Sequence, residues 1–236
     1  MKLAIMQPYF FPYVGYFSLM EYADRFVVFD TPQYINRGWV NRNRLMTAAG
    51  DPIYMTVPVK KAPRETAIRD ICIDDTQSWR EKIYGQLSAY KKRAPRYRET
   101  SALVHEILDG FEGSSLSALN IRALKMVCEV LEIDCAFDTF SEMDMGIDHV
   151  SAPDEWALEI SKAMGAEIYV NPPGGMDFFD RGKYERAGID LKFLKSGLKP
   201  YVQRVGKWDP GLSIIDVMMF CSRAEIKDML SDYTLL

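Results

Sequence analysis

The stretch from Lys2 to Asp30, KLAIMQPYFFPYVGYFSLMEYADRFVVFD, constrains the fold of this chain more than any other. Leu3 to Met6 is a short apolar run. It breaks into a loop in which Pro8 fixes its own φ and disfavours the helical region at Gln7, with Pro12 a second restraint. After Gly15 the period changes, and Phe17, Leu19, Met20, Tyr22 and Ala23 read as the buried side of a helix of about two to three turns. Phe26 to Phe29 returns to a β-branched and aromatic run that stops at Asp30. Strand, loop, helix and strand in so short a span describe the smallest βαβ unit that can close. A right-handed crossover of this kind puts the first loop and Asp30 on one carboxyl edge of a parallel sheet, where open α/β sheets bind ligands.

The 236 residues, 48% apolar and 26% charged, suffice for one large α/β domain, or one with a substantial insertion. A formal charge of −4 and a pI near 5.4 give the whole molecule no electrostatic reason to bind nucleic acid or an anionic membrane. No run approaches the roughly 20 apolar residues of a membrane span, and the N-terminus enters a strand without signal-peptide architecture, so a cytoplasmic location is expected. Cys72, Cys128, Cys135 and Cys221 form no CxxC pair, and His105 and His149 are the only histidines. Reduced core thiols are expected, with no metal site.

Between Asp30 and Asp51 the chain carries Arg37, Arg42 and Arg44 among Tyr34, Trp39, Asn36, Asn41 and Asn43, with no acid. Guanidinium groups interleaved with aromatics and amides suit a phosphate or carboxylate beside a flat ring; the alternative is a solvated loop anchored by Trp39. Ile53 to Val59 reads as a strand, followed by Lys60, Lys61 and Arg64, and Ile68 to Ile73 as a second strand pairing nearby. Thr76 is the expected cap of a helix with the stripe Trp79, Ile83, Leu87 and Tyr90; further helices are expected at about 99–111 and 116–131. Residues 1–74 and 132–236 then form the α/β core, and 75–131 a helical insertion or subdomain.

The second half resumes an α/β rhythm: a strand at 136–140, a helix at 153–164 ended by Gly165, a strand at 167–170, a helix at 177–187 and a strand at 190–194. Asn171-Pro172-Pro173-Gly174-Gly175 follows a strand end, where a Gly pair lets the backbone approach a ligand closely. Ser213 and Asp216 open an apolar helix and read as caps, while Tyr201 and Gln203 have no role that spacing supports. There is no GxGxxG after the first strand, no Walker A sequence, no HExxH and no GxSxG. Asp148-His149 pairs an acid with an imidazole, but neighbours on an extended segment point to opposite faces; Cys128 falls on a buried helix face, where a thiol is inert.

The strand-loop-helix opening is similar to the first motif of the nucleotidyltransferase and class I synthetase-like folds, in which a Pro-containing loop leads into a His-x-Gly-His turn. Pro12-Tyr13-Val14-Gly15-Tyr16-Phe17 keeps the Gly and the helix start but has Tyr13 and Tyr16 where histidines would stand. The resemblance implies a Rossmann-like parallel sheet with a nucleotidyltransferase-like, HUP-type core. Neutral phenols cannot supply the charge-assisted bonds of an imidazolium, which puts adenylyl transfer in question.

More specifically, MQPYFFPYVGYFSLMEYADRFVVFD, QYINRGWVNRNR and VPVKK resemble the WbqC-like protein family, as do NPPGG, AGIDLKFL and YVQ with the later LSIID. The resemblance spans almost the whole chain and implies a setting in bacterial O-antigen and surface polysaccharide biosynthesis. The matching positions are Gln7, Pro8, Tyr9, Pro12, Gly15 and Tyr16, then Gln33, Tyr34, Arg37, Gly38, Trp39, Asn41, Arg42 and Lys60, and later Gly174 and Gly175. Asn171-Pro172-Pro173 departs from the Ser-Gly wording of the family at that place.

Two readings follow. In the first the chain is a transferase acting on a nucleotide-activated sugar or another small anionic metabolite, placing an acyl or aminoacyl group on an amino sugar. Arg37, Arg42 and Lys60 neutralise phosphate or carboxylate, Trp39 or Tyr34 stacks on a ring, Gln7 orients a polar group and Asp30 is the base. Tyr9, Tyr16, Asn41, Gly174 and Gly175 complete the expected binding set. In the second the chain is a nucleotide or sugar-nucleotide binding protein, or an assembly factor, without turnover. Both leave room for a homo-oligomer, and neither needs a cofactor beyond a nucleotide or nucleotide-linked sugar as substrate.

Overall fold

Alternate residues of the first strand are buried in two different cores. In the computed structural model, which describes residues 1–147, 150–203 and 208–236, β1 (Lys2–Met6) sends Ala4 into one hydrophobic cluster and Leu3 and Ile5 into another. A strand buried on both faces must be covered on both, and the rest of the chain supplies that cover. Helix α1 (Val14–Tyr22) and strand β2 (Arg25–Val28) follow, then a hairpin of β3 (Arg42–Met46) and β4 (Pro52–Thr56). Next come α2 (Trp79–Ser88), α3 (Tyr97–Asp109) and α4 (Leu116–Leu131). The alternation resumes with β5 (Ala136–Thr139), α5 (Glu155–Ala163), β6 (Ile168–Asn171), α6 (Arg181–Arg186) and β7 (Asp190–Ser196). The chain closes with α7 (Ile214–Phe220), α8 (Arg223–Leu230) and β8 (Tyr233–Leu235).

The main sheet runs β5-β2-β1-β6-β7-β8, parallel except for β8, which pairs antiparallel with β7. Numbered in chain order within this sheet, its strands lie 3-2-1-4-5-6. The Ala4 face is covered by α1, α4, α7 and α8, and the Leu3 face by α5 and α6. The chain therefore winds outward from β1 in one direction and later from β6 in the other. Such a reversal leaves a crevice beyond the carboxyl ends of the two central strands. Among the described residues no helix is long and apolar enough to cross a membrane.

The parallel β1-α1-β2 unit forms as its pattern predicts, and Gly165 takes a left-handed φ of 66° after α5. Two expectations need correction, and one strand was not expected. The arginine-rich segment contains that strand: Asn41, Asn43 and Leu45 are buried while Arg42 and Arg44 are half-buried, a period of two that makes β3, the partner of β4. Ile68 to Ile73 is not a strand; Ile68–Asp70 is a single 3-10 turn, and Cys72 and Ile73 form isolated bridges to Ser115 and Val59. Thr76 does not cap α2, since its hydroxyl donates to Asp74 at 2.6 Å and Ser78 holds the cap position. Trp79, Ile83, Leu87, Val104 and Leu124 of α2 to α4 share one core with Phe17 of α1 and with Leu45 and Met55 of the hairpin.

Candidate functional site

A cleft of about 1720 Å³ opens at the sheet reversal, and its wall comes from the carboxyl ends of four parallel strands. Met6 ends β1 and Gln7 and Tyr9 follow it, Phe29 and Thr31 follow β2, Phe140 and Ser141 follow β5, and Asn171 ends β6 with Pro172 after it. The opposite wall is Trp39, Asn43 and Arg44 with Asp209 and Gly211.

The first loop is held in place carbonyl by carbonyl. The Tyr16 hydroxyl donates to Gln7 O (2.8 Å), Asn120 Nδ2 to Pro8 O (2.8 Å), and Asn43 Nδ2 to Phe10 O (3.2 Å) and Phe11 O (2.9 Å). Ser213 Oγ also donates to Phe11 O (2.8 Å), and the Ile214 N–H to Pro12 O (2.8 Å). Phe11 sits at a left-handed φ of 41°, an uncommon conformation for a bulky residue that the surrounding bonds must enforce. Asn120 is fully buried and its second bond runs to Val40 O (2.7 Å), so one amide ties the loop to the arginine-tryptophan segment.

Of the residues expected at the site, Gln7, Tyr9, Trp39, Gly174 and Gly175 line the cleft. The others stand off its wall. Tyr16 is buried beneath the loop, and Asn41 is buried with its amide on Val57 O (3.1 Å). Arg42 stacks over the Tyr54 ring at 4.1 Å, with Tyr34 close by; Lys60 and Arg37 are exposed, and Arg37 occupies a left-handed turn at φ 59°. Asp30 is 3% exposed and is held by Ser141, whose N–H (3.1 Å) and hydroxyl (2.6 Å) both donate to its carboxylate. Asp148 and His149 lie outside the described residues.

Among the described residues, the cations on the wall are Arg44 and Arg69. Arg44 is spent on a two-pronged pair with Asp209 (3.1 and 3.2 Å) and a third bond to Gly211 O (3.1 Å). Arg69 has a weaker partner, Asp70 at 3.7 Å, and its backbone N–H donates to Asp30 O at 2.8 Å. Its guanidinium is therefore the freer charge for an anion. Sequence reasoning placed Arg69 in a strand and passed over it; only the turn at Ile68 to Asp70 brings it to the rim. Ser141 and Trp156 carry no readable signal in the sequence; Asn43, named among the amides of the arginine-rich segment, has one in its inward period with Leu45.

Burial pushes the Tyr9 and Tyr13 hydroxyls above their ordinary value of 10.0, with each other's proximity adding to the effect at Tyr9. Burial raises the Tyr16 hydroxyl as well, so Tyr13 and Tyr16, at the positions of the two histidines, are neutral at physiological pH and cannot stand in for imidazolium groups. Burial likewise raises the Cys128, Cys135 and Cys221 thiols, the last two to about 12, which leaves them unreactive. Among the described residues no group of His, Cys, Asp and Glu side chains is arranged to hold a metal ion. A Cβ on Gly175 would lie 2.3 Å from Asn171 Nδ2 and 2.8 Å from Phe179, whereas one on Gly174 would meet open space, so only Gly175 is demanded by the turn.

The chain is 29% identical over 231 residues to the uncharacterized protein Rv1507c of Mycobacterium tuberculosis (strain ATCC 25618 / H37Rv), covering 97% of each. No solved structure matches it. The model of the WbqC-like protein family matches residues 7–228, from the glutamine of the first loop almost to the end of α8. This chain belongs to the WbqC-like protein family.

Proposed function

We propose that the cleft binds a nucleotide-activated sugar or a similar small anionic metabolite, and that the protein is a transferase placing an acyl or aminoacyl group on an amino sugar during surface polysaccharide biosynthesis. The scaffold would be a Rossmann-like core of the nucleotidyltransferase type, for which the 3-2-1-4-5 order of the parallel strands speaks. The observation that carries the reading is the first loop. Its carbonyls are bound by side chains from three distant parts of the chain, Asn43, Asn120 and Ser213, and by Tyr16 of the following helix, and one residue is held at an unfavourable φ, an expense of structure that goes with preorganising a site.

In this reading Gln7 orients a polar group of the ligand, Trp39 stacks on a ring and Arg69 meets the anion. Asp30 acts through Ser141, whose hydroxyl hydrogen is committed to the carboxylate and whose oxygen is left as an acceptor at the rim. As the new C–N bond forms, the bond between the acyl carbon and its leaving group in an activated acyl donor breaks; the leaving group departs with that electron pair, and the proton lost by the acceptor amine would pass to this Ser141–Asp30 pair. The reading without turnover draws on the same wall: Arg44 is already neutralised and Asp30 is already held, which is the state of a binding site rather than of a poised acid and base. Thermal shift against nucleotides, nucleotide sugars and amino acids, repeated with Gln7→Ala and Trp39→Ala, tests the site. Mass-spectrometric detection of a product from a stabilising pair separates the two readings. A panel that stabilises neither the wild type nor the variants sinks both.

A further inference from the structure

At one end of the cleft the wall is apolar and lies on the Leu3 face of the sheet. Phe29, Phe140 and Trp156 meet there with ring centroids 5.3 to 5.9 Å apart. Beyond them Met143, Met145 and Ile147, every second residue, pack against the same cluster and also line the cleft. Phe29, Trp156, Met143, Met145 and Ile147 are only partly buried, so apolar surface that belongs to a core stays open to the cleft. That surface is costly to leave wet, at about 25 cal/mol per Å². The cleft as a whole, about 1720 Å³, exceeds the roughly 300–1,000 Å³ of an ordinary small-ligand pocket.

We infer that this end is a chamber for the aliphatic chain of the ligand, so that the bound molecule is amphipathic: a polar, anionic head at Gln7 and Arg69 and a saturated hydrocarbon arm against Trp156 and the two methionines. Two features select a chain over a second flat ring. Thioether side chains with three rotatable bonds adapt to a flexible occupant. The three aromatic rings meet one another tilted or edge-on, at 52° to 79°, so no two of them form a parallel slot between which a flat ring could be sandwiched. Trp39, 42% exposed, and Phe178, 53% exposed, continue the apolar wall to the mouth. The inference rests on the reading of this cleft as the ligand site and adds the chemical class of the ligand.

The test uses the full chain with saturated fatty acids below their critical micelle concentrations as probes. Dodecanoate brominated at its terminal carbon should quench tryptophan fluorescence saturably, and Trp156→Phe should remove most of that signal while Trp39→Phe keeps it. Shortening dodecanoate to decanoate should weaken binding about tenfold, two buried methylenes' worth, and Met145→Glu should weaken it at least tenfold. Absence of saturable quenching, affinity independent of chain length, or quenching that survives Trp156→Phe would each overturn the chamber. Nucleotide-sugar thermal shifts that persist in a protein blind to fatty acid would discard the hydrocarbon arm alone. Chain binding without any nucleotide-sugar shift would discard the earlier reading and keep the chamber.

Discussion

The backbone N–H of Phe10 donates to the carbonyl oxygen of Trp39 at 2.9 Å, which joins the glutamine-proline-tyrosine turn to the arginine-tryptophan segment along one wall of the cleft. The buried Asn120 amide reinforces the junction by bridging Pro8 O and Val40 O. Two stretches that are separate in sequence thus form one rigid surface.

Asn120→Ala removes both of those bonds and leaves two carbonyls in a dry core. A loss of about 3 kcal/mol in urea unfolding is expected, since each orphaned group costs roughly 1–3 kcal/mol. Ligand-induced stabilisation should fall as well, because the loop bearing Gln7 is released. Unchanged stability would mean that the loop holds its shape without this tie.

Gly174→Ala and Gly175→Ala are adjacent and should behave differently. The first adds a methyl to open space and should leave the free energy of unfolding within about 0.5 kcal/mol of wild type. The second drives a carbon against Asn171 and Phe179 and should destabilise by about 1–3 kcal/mol. Equal effects would show that the Asn171 side chain simply swings away.

Charge at the rim is assigned to Arg69 over Arg37. Arg69→Ala should weaken an anionic cleft ligand by about tenfold or more, the range of a charge-assisted bond worth roughly 1.5–3 kcal/mol. Arg37→Gly should leave affinity unchanged and raise stability by up to about 1 kcal/mol, because glycine adopts the φ of 59° without strain. Calorimetric titration with a stabilising nucleotide checks both, and the reverse order of effects would return the anion site to Arg37.

Asp216 is fully buried and accepts from the Tyr90 hydroxyl, from Tyr201 Oη (2.6 Å) and from Gln203 Nε2 (3.2 Å), with Arg93 stacked on the Tyr90 ring. Burial raises its carboxyl above the usual 3.8, opposed by the Tyr201 and Tyr90 bonds and by Arg93. A raised carboxyl binds protons more readily folded than unfolded. Its contribution to stability is therefore fully present below pH 3.8 and declines as pH rises through the elevated folded value. Asp216→Asn lacks that slope and should destabilise by about 1–3 kcal/mol at neutral pH, since Tyr90 and Tyr201 donate to different carboxylate oxygens and the amide NH2 that replaces one of them cannot accept. The wild-type advantage over Asp216→Asn should thus shrink from acid to neutral pH, and an advantage that grows would reverse the sign of the shift.

The opening βαβ unit, the helices of the middle and the later strands were legible in the chain because each rests on local periodicity and on turn residues that act over a few positions. β3 was not, because Asn41 and Asn43 read as amides for a ligand, whereas in the fold the carbonyls of Val57, Phe10 and Phe11 receive them. β8 escaped for a similar reason: three residues at the C-terminus become a strand only beside the edge of β7. The candidate site divides the same way. Gln7, Tyr9 and Trp39 reach the cleft because strand ends fix them, whereas Arg37, Arg42 and Arg44 differ in nothing that composition records. What separates a stacked arginine on Tyr54, an exposed one in a left-handed turn and a third bound to Asp209 is which distant surface each one meets. Local sequence determines the elements and the edge they share; which charge is neutralised and which remains free is settled by contacts between residues far apart in the chain, and those exist only once it has folded.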